Sequence, residues 1–170
     1  LKFLRSTKSE LKAITDTVKG LSISTPNVAF TLIDKTGGKS RKILQFQKEK
    51  DVSLASIKNR LSRVLGQDFS KNSISIDVTR EDVNLTGYVC LPTYARASNA
   101  MQYFFVNSRQ VRDKQLIGAL RAAYSDFMPR DRFPAAAIYI NCRPDFVDVN
   151  VHPGKSEVRF RDPQGIRSLI

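Results

Sequence analysis

Hydrophobic residues recur along this chain in alternating helical and strand-like spacings. Leu11, Ile14, Val18 and Leu21 repeat at helical intervals behind Thr7-Lys8-Ser9-Glu10, which reads as a capping box, so a helix is expected from Thr7 to about Ser22. Val28, Phe30 and Leu32 alternate with Ala29, Thr31 and Ile33, a strand expected to be buried on both faces. After the turn Asp34-Lys35-Thr36-Gly37-Gly38, Ile43 to Phe46 returns as the second arm of a hairpin. Ser53 caps a second helix carrying Leu54, Ile57, Leu61, Val64 and Leu65, and Gly66 ends it.

The remaining sequence continues the alternation. Ile74 to Val78 and Leu85 to Val89 are strands joined through Arg80-Glu81-Asp82, and a polar stretch from Thr93 to Asn99 leads into a strand over Met101 to Val106. A third helix starts near Asp113, with Leu116, Leu120, Ala123, Tyr124 and Phe127 as its inner stripe and Lys114, Gly118, Arg121 and Ser125 opposite. Ala135 to Ile140 is almost wholly apolar, as a strand in the middle of a helix-covered sheet must be. Val147, Val149 and Val151 face one way and Asp148, Asn150 and His152 the other. A short strand follows over Glu157 to Phe160, and Asp162 opens a last helix. No repeat, linker or low-complexity tract interrupts the order, so one α/β domain is expected.

Composition narrows the class. With 170 residues and 41% hydrophobic positions the chain can bury a core without staples. No run approaches the eighteen or more apolar residues of a membrane span, and no cationic-then-apolar leader follows Leu1, which suits a piece of a longer chain. Cys90 and Cys142 lie far apart in apolar surroundings, as reduced, buried thiols of a cytosolic protein would. With His152 the only histidine, the usual zinc sets cannot be assembled and no metal site is expected. The formal charge of +12 is uneven: residues 1–50 carry about +7, 51–100 about +1 and 101–170 about +4. Such a surplus favours a polyanionic partner, nucleic acid foremost, over a merely solvated surface.

One segment could carry chemistry. From Asp145 an alternating strand runs through Val147-Asp148-Val149-Asn150-Val151 into His152-Pro153-Gly154-Lys155. Proline fixes the exit direction, glycine lets the backbone approach another surface, and the lysine is a mobile point charge suited to a terminal phosphate. On spacing alone an ordinary hairpin tip, where Pro, Gly and Lys are all frequent, is the favoured reading.

Phe105-Val106-Asn107-Ser108-Arg109-Gln110-Val111-Arg112-Asp113, Val147 to Lys155 and Glu157-Val158-Arg159-Phe160 together closely resemble the MutL family of DNA mismatch-repair proteins. Leu1 to Ser6 resembles the family segment that follows its nucleotide-binding domain. The resemblance covers essentially the whole chain in order. It implies a single transducer domain over 1–170, with 1–6 ending the connection from an ATP-binding domain. The implied fold is that of ribosomal protein S5 domain 2: a mixed β-sheet with helices packed on it and a left-handed βαβ crossover, related to the corresponding domains of gyrase B and Hsp90-type ATPases.

The same resemblance makes Lys155 the contact to the γ-phosphate of ATP held, with Mg2+, by the preceding domain, and gives His152, Pro153 and Gly154 a loop-shaping part. It assigns DNA binding to Arg109, Arg112 and Lys114 around the start of the third helix, and to Arg121, which shares a face with Lys114. It further implies double-stranded DNA, other mismatch-repair proteins such as the mismatch-recognition protein, the adjacent ATPase domain and a homodimer of the parent as partners. The location would be cytoplasmic and nucleoid-associated in a bacterium, which the lean chain favours, or nuclear in a eukaryote. The family's Asn-Gly-Arg is Asn107-Ser108-Arg109 here, which puts serine where a positive φ is easiest for glycine.

The family's acidic ATP motif and glycine-rich lid do not occur in this sequence, so no hydrolysis is expected of it alone. Two other readings stay open. Pro144-Asp145 with Glu157-Val158-Arg159 echoes a metal-nuclease pattern, with arginine where lysine belongs. An S5-like or gyrase-type domain with another nucleic-acid partner would share the fold.

Overall fold

The computed structural model describes residues 6–149, 151 and 157–170, which form two compact units, Leu1–Gly66 and Gln67–Ile170.

The first unit contains helix α1 (Thr7–Ser24), the hairpin β1 (Phe30–Asp34) and β2 (Arg41–Phe46), and helix α2 (Leu54–Leu65). The cap of α1 lies one residue earlier than expected. Ser6 is the N-cap, its hydroxyl accepting from Ser9 N while its own N–H donates to Ser9 Oγ, both at 3.2 Å. Two serines three apart satisfy each other's end groups, so Glu10 is not needed in the box. β1 differs from expectation too: Thr31 and Ile33 are exposed, because a two-stranded ribbon covers one face only. The α2 expectation holds in full. Ser53 Oγ accepts from Ser56 N, and Gly66 closes the helix at φ 99°. Asp51 adds a layer beneath this cap, accepting from Ser53 N, Ser53 Oγ and Ser56 Oγ at 3.0, 2.6 and 2.6 Å.

At the centre of this unit sits a cation. Arg60 of α2 is fully buried. Its Nη1 donates to Ser22 O at 2.8 Å, and its Nη2 is shared among the carbonyls of Pro26, Val28 and Gln47 at 2.7 to 2.9 Å. The guanidinium lies 6.0 and 5.8 Å from the ring centroids of Phe30 and Phe46. Glu49 supplies the counter-charge, 3.9 Å from Arg60 and 3.3 Å from the more exposed Arg63. One planar fork thus gathers the end of α1, the entry to β1 and the exit from β2.

The second unit is a five-stranded mixed sheet in the order β3 (Ser73–Arg80), β4 (Val83–Cys90), β7 (Ala136–Cys142), β5 (Gln102–Val106), β6 (Arg109–Val111), preceded by the short α3 (Gln67–Lys71). All neighbours are antiparallel except β5 and β7, which are parallel and joined through β6 and α4 (Lys114–Ala123). This is the mixed α/β class that the sequence implies. β7 is buried from Ala136 through Ile140, as its apolar run requires. Beside it, a side chain on Gly87 would place its Cβ 2.0 Å from the Ala137 carbonyl oxygen, so only glycine allows β4 to lie this close.

One core gathers Leu85, Phe104, Val106, Ile138 and Ile140 from the sheet with Leu116 and Leu120 of α4, Phe160, and Ile166 of α5 (Pro163–Leu169). Residues of the other sheet face are also buried, among them Phe105 and Tyr139, whose rings stack at 4.8 Å. The α4 stripe is shorter than expected. Leu116, Ala119 and Leu120 are buried, Tyr124 is half-buried, Ala123 is exposed and Phe127 is 71% exposed, because the helix stops at Ala123 and the chain turns away. Among the described residues late in the chain, Val147–Asp148 (β8) pairs antiparallel with Arg159–Phe160 (β9), and Glu157 and Val158 lie outside the strand expected to include them. Val147 and Val149 pack on the core, whereas Val151 is exposed. Asp162 caps α5, accepting from Gly165 N at 2.9 Å.

Replacing Arg60 with alanine leaves four backbone carbonyls without their donor and Glu49 with Arg63 alone. We expect a loss of about 3–5 kcal/mol in urea unfolding, with Arg60→Lys recovering only part, since one ammonium cannot span that fork. Hydrogen bonds from Ser53, then Ser56, hold the Asp51 carboxyl down to about 2 from its ordinary 3.8. A depressed carboxylate stabilises above its unfolded pKa and ceases to as pH falls through the folded one. An NMR titration should therefore place Asp51's midpoint near 2, and the start of α2 should loosen between pH 4 and 2.

Candidate functional site

The β5–β6 hairpin turns on two residues. Asn107 and Ser108 both adopt left-handed backbone, at φ 46° and 67°, and bring Val106 opposite Arg109. Serine therefore takes the conformation for which the sequence suggested glycine. Asn107 repays its strained backbone with two bonds to the end of the neighbouring strand: its N–H donates to Ile140 O at 2.9 Å, and its Oδ1 accepts from Cys142 N at 3.0 Å. Nothing in the hydrophobic pattern marks this anchor; the left-handed tolerance of asparagine is its only sequence signal.

Beyond the turn the chain leads into α4. Asp113 is buried as the N-cap, and its Oδ1 accepts from Gln115 N and Leu116 N at 2.8 and 3.1 Å. Arg109, Arg112 and Lys114 flank it, all exposed. Cations at the positive end of a helix dipole are disfavoured for stability, typically by a few tenths to 1 kcal/mol each. Three of them within six residues make an electropositive corner suited to an anion.

Arg121 is different. It lies two turns further along the same exposed face, but its Nη2 donates to Arg130 O and its guanidinium sits 5.4 Å from the centre of the Phe133 ring. It ties the end of α4 to the loop before β7, so the structure brings together three of the four predicted cations and occupies the fourth.

The residues His152, Pro153, Gly154 and Lys155 lie outside the described residues. What bounds them is described. β8 and β9 pair Val147 with Phe160 and Asp148 with Arg159, an opposite-charge cross-strand pair. Val149 packs on the core before the segment, and Val158 is buried after it. Upstream, Arg143 grips Asp145 with Nε and Nη2 at 3.0 and 2.9 Å and stands 3.7 Å from Asp82. The Arg143 guanidinium is the main reason that Asp145 titrates below the ordinary carboxylate range.

With both its oxygens engaged, Asp145 makes a poor metal ligand. Among the described residues no three His, Cys, Asp or Glu side chains converge to hold a metal, so the nuclease pattern gains no support. Neither cysteine is in a disulfide. Cys90 is buried and its thiol is pushed up to about 12, while burial also raises the half-buried Cys142. Among the described residues no helix is long and apolar enough to cross a membrane.

Comparison with known proteins agrees with this architecture. The N-terminal domain of a DNA repair protein superposes with a TM-score of 0.77 at 20% identity, over 95% of this chain and 51% of that one. The ATPase domain of the bacterial mismatch repair endonuclease Aquifex aeolicus MutL gives 0.59 at 21%, over 91% and 51%. At such identities these matches speak to the fold alone, a mixed α/β architecture. The family is defined by sequence. Residues 61–170 match the model of the DNA mismatch repair protein, C-terminal domain. The whole chain is 45% identical to DNA mismatch repair protein MutL of Paramagnetospirillum magneticum and 44% to that of Rickettsia felis. It belongs to the MutL family of DNA mismatch-repair proteins. It spans 27% of the length of those relatives.

Ser108→Gly removes the left-handed cost of a side chain at φ 67° and leaves Asn107's anchor in place. It should stabilise by about 1 kcal/mol, seen as a melting temperature higher by about 2–4 °C.

Proposed function

We propose that the chain, read as one transducer domain over 1–170 with 1–6 ending a connection from an ATP-binding domain, serves a mismatch-repair ATPase in two ways. It offers Lys155 to the γ-phosphate of ATP held with Mg2+ by the neighbouring domain, and it contacts duplex DNA through Arg109, Arg112 and Lys114. The reading rests chiefly on the corner at the start of α4, where three exposed cations stand at a positive helix end behind a turn pinned by Asn107. Phosphate neutralisation there gives sequence-blind affinity. Arg121 enters as a positioning residue because its guanidinium is already engaged. The same reading carries the further partners: a mismatch-recognition protein and a second copy of the parent, meeting in the bacterial cytoplasm.

ATP, when bound next door, supplies the phosphate whose charge Lys155 would neutralise. The chain's own part is to bound the segment that carries the lysine: Val149 before it packs on the core, and Val158 after it is buried.

In a protein of the relatives' full length, Lys155→Ala should lower ATP turnover on the order of a hundredfold while leaving the melting temperature and duplex affinity unchanged. Turnover at the wild-type rate would sink the lysine assignment.

A further inference from the structure

A second group of cations lies outside the corner just described. In the first unit, Lys8, Lys12 and Lys19 of α1 and Arg41 and Lys42 of β2 line one open groove of about 540 Å³, with Leu11, Thr15 and Ile43 along its floor. Asp16 is its single carboxylate and is paired with Lys12 at 2.7 Å, while Arg41 is drawn toward Asp34 at 3.3 Å. Among the described residues no ion pair engages Lys8, Lys19 or Lys42. The register of α1 is what gathers these groups: positions 8, 12 and 19 return to one helix face, spread over about 16 Å of axis. One strand of duplex DNA presents about five phosphates in that length.

We infer that this groove is a second phosphate-backbone track, which binds duplex DNA without reading its sequence. The inference rests on the reading of DNA as this chain's polyanion. Five cations facing one paired carboxylate match a polyanion of regular spacing, and side chains on a helix and an adjoining strand can follow a curved backbone. An anionic membrane fits less well. Leu11 and Ile43 in the groove are only part-exposed, and the exposed Ile14 and Leu21 project by helical spacing from the side of α1 away from the lysines, so a surface that meets the lysines meets no fully exposed apolar side chain.

The test titrates the chain into a fluorescently labelled duplex at several salt concentrations. It compares wild type with Lys8→Ala/Lys19→Ala/Lys42→Ala and, separately, with Arg109→Ala/Arg112→Ala/Lys114→Ala. The lysine set leaves the Asp16 and Asp34 pairs intact, and unchanged thermal melting checks its fold. It should weaken binding at least tenfold at low salt and reduce the slope of log K against log salt by about 2 to 3.

Wild-type affinity and slope in the lysine set overturn the inference, whatever the arginine set does. Loss in the lysine set alone upholds it and removes the α4 corner from DNA binding. If phosphatidylglycerol vesicles bind tighter than duplex, and lose that binding in the lysine set, the groove belongs to a membrane and the inference is overturned.

Discussion

A strand buried on both faces has no water to turn to, so each of its peptide groups must be satisfied by the strands beside it. β7 is that strand here, and much of the second unit is arranged to meet its needs. β4 can lie against it because Gly87 presents no side chain to the Ala137 carbonyl, and β5 lies on its other side in parallel register. Where β7 runs out, the N–H of Cys142 donates to Asn107 Oδ1 at the tip of the adjoining hairpin. The turn that positions Arg109 is thus also the device that finishes the central strand. Conformation, hydrogen bonding and surface charge meet in four consecutive residues.

The first unit solves a comparable problem with a charge. Its elements are too few to pack a large apolar core, and their loop carbonyls point inward. A lysine could meet one or two of them. The fork of Arg60 meets four, and Phe30 and Phe46 lie against it. The cation is stabilised in turn by Glu49, itself buried. Such an arrangement tolerates little substitution, because the acceptors belong to the backbone and cannot be exchanged with the partner.

How much of this was legible depended on whether a feature is periodic. α2, with Ser53 before it and Gly66 after it, was fully legible, as was the apolar run of β7. The cap of α1 was misplaced by one residue because Ser6 and Thr7 are both good caps and only geometry separates them. β6 and α3 are too short to show a period, and Phe127 falls in step with a helix that has already ended. Arg60 occupies an ordinary polar slot of an amphipathic helix, so no local pattern distinguishes it from Arg63, which reaches solvent. At the site, Arg109, Arg112 and Lys114 could be named from motif alone, but the engagement of Arg121 with a carbonyl nine residues away could not. The groove of the first unit escaped because its cations come from two segments more than twenty residues apart.

The order of strands in the large sheet differs from their order in the chain. β3 with β4, and β5 with β6, are neighbours in sequence and can close early as local hairpins, whereas β7, made last of the five, inserts between them. Until residue 142 has left the ribosome, each hairpin therefore carries an open edge. A chain made only that far lacks the strand that joins its two hairpins, so the sheet edges of β4 and β5 have no partner in it.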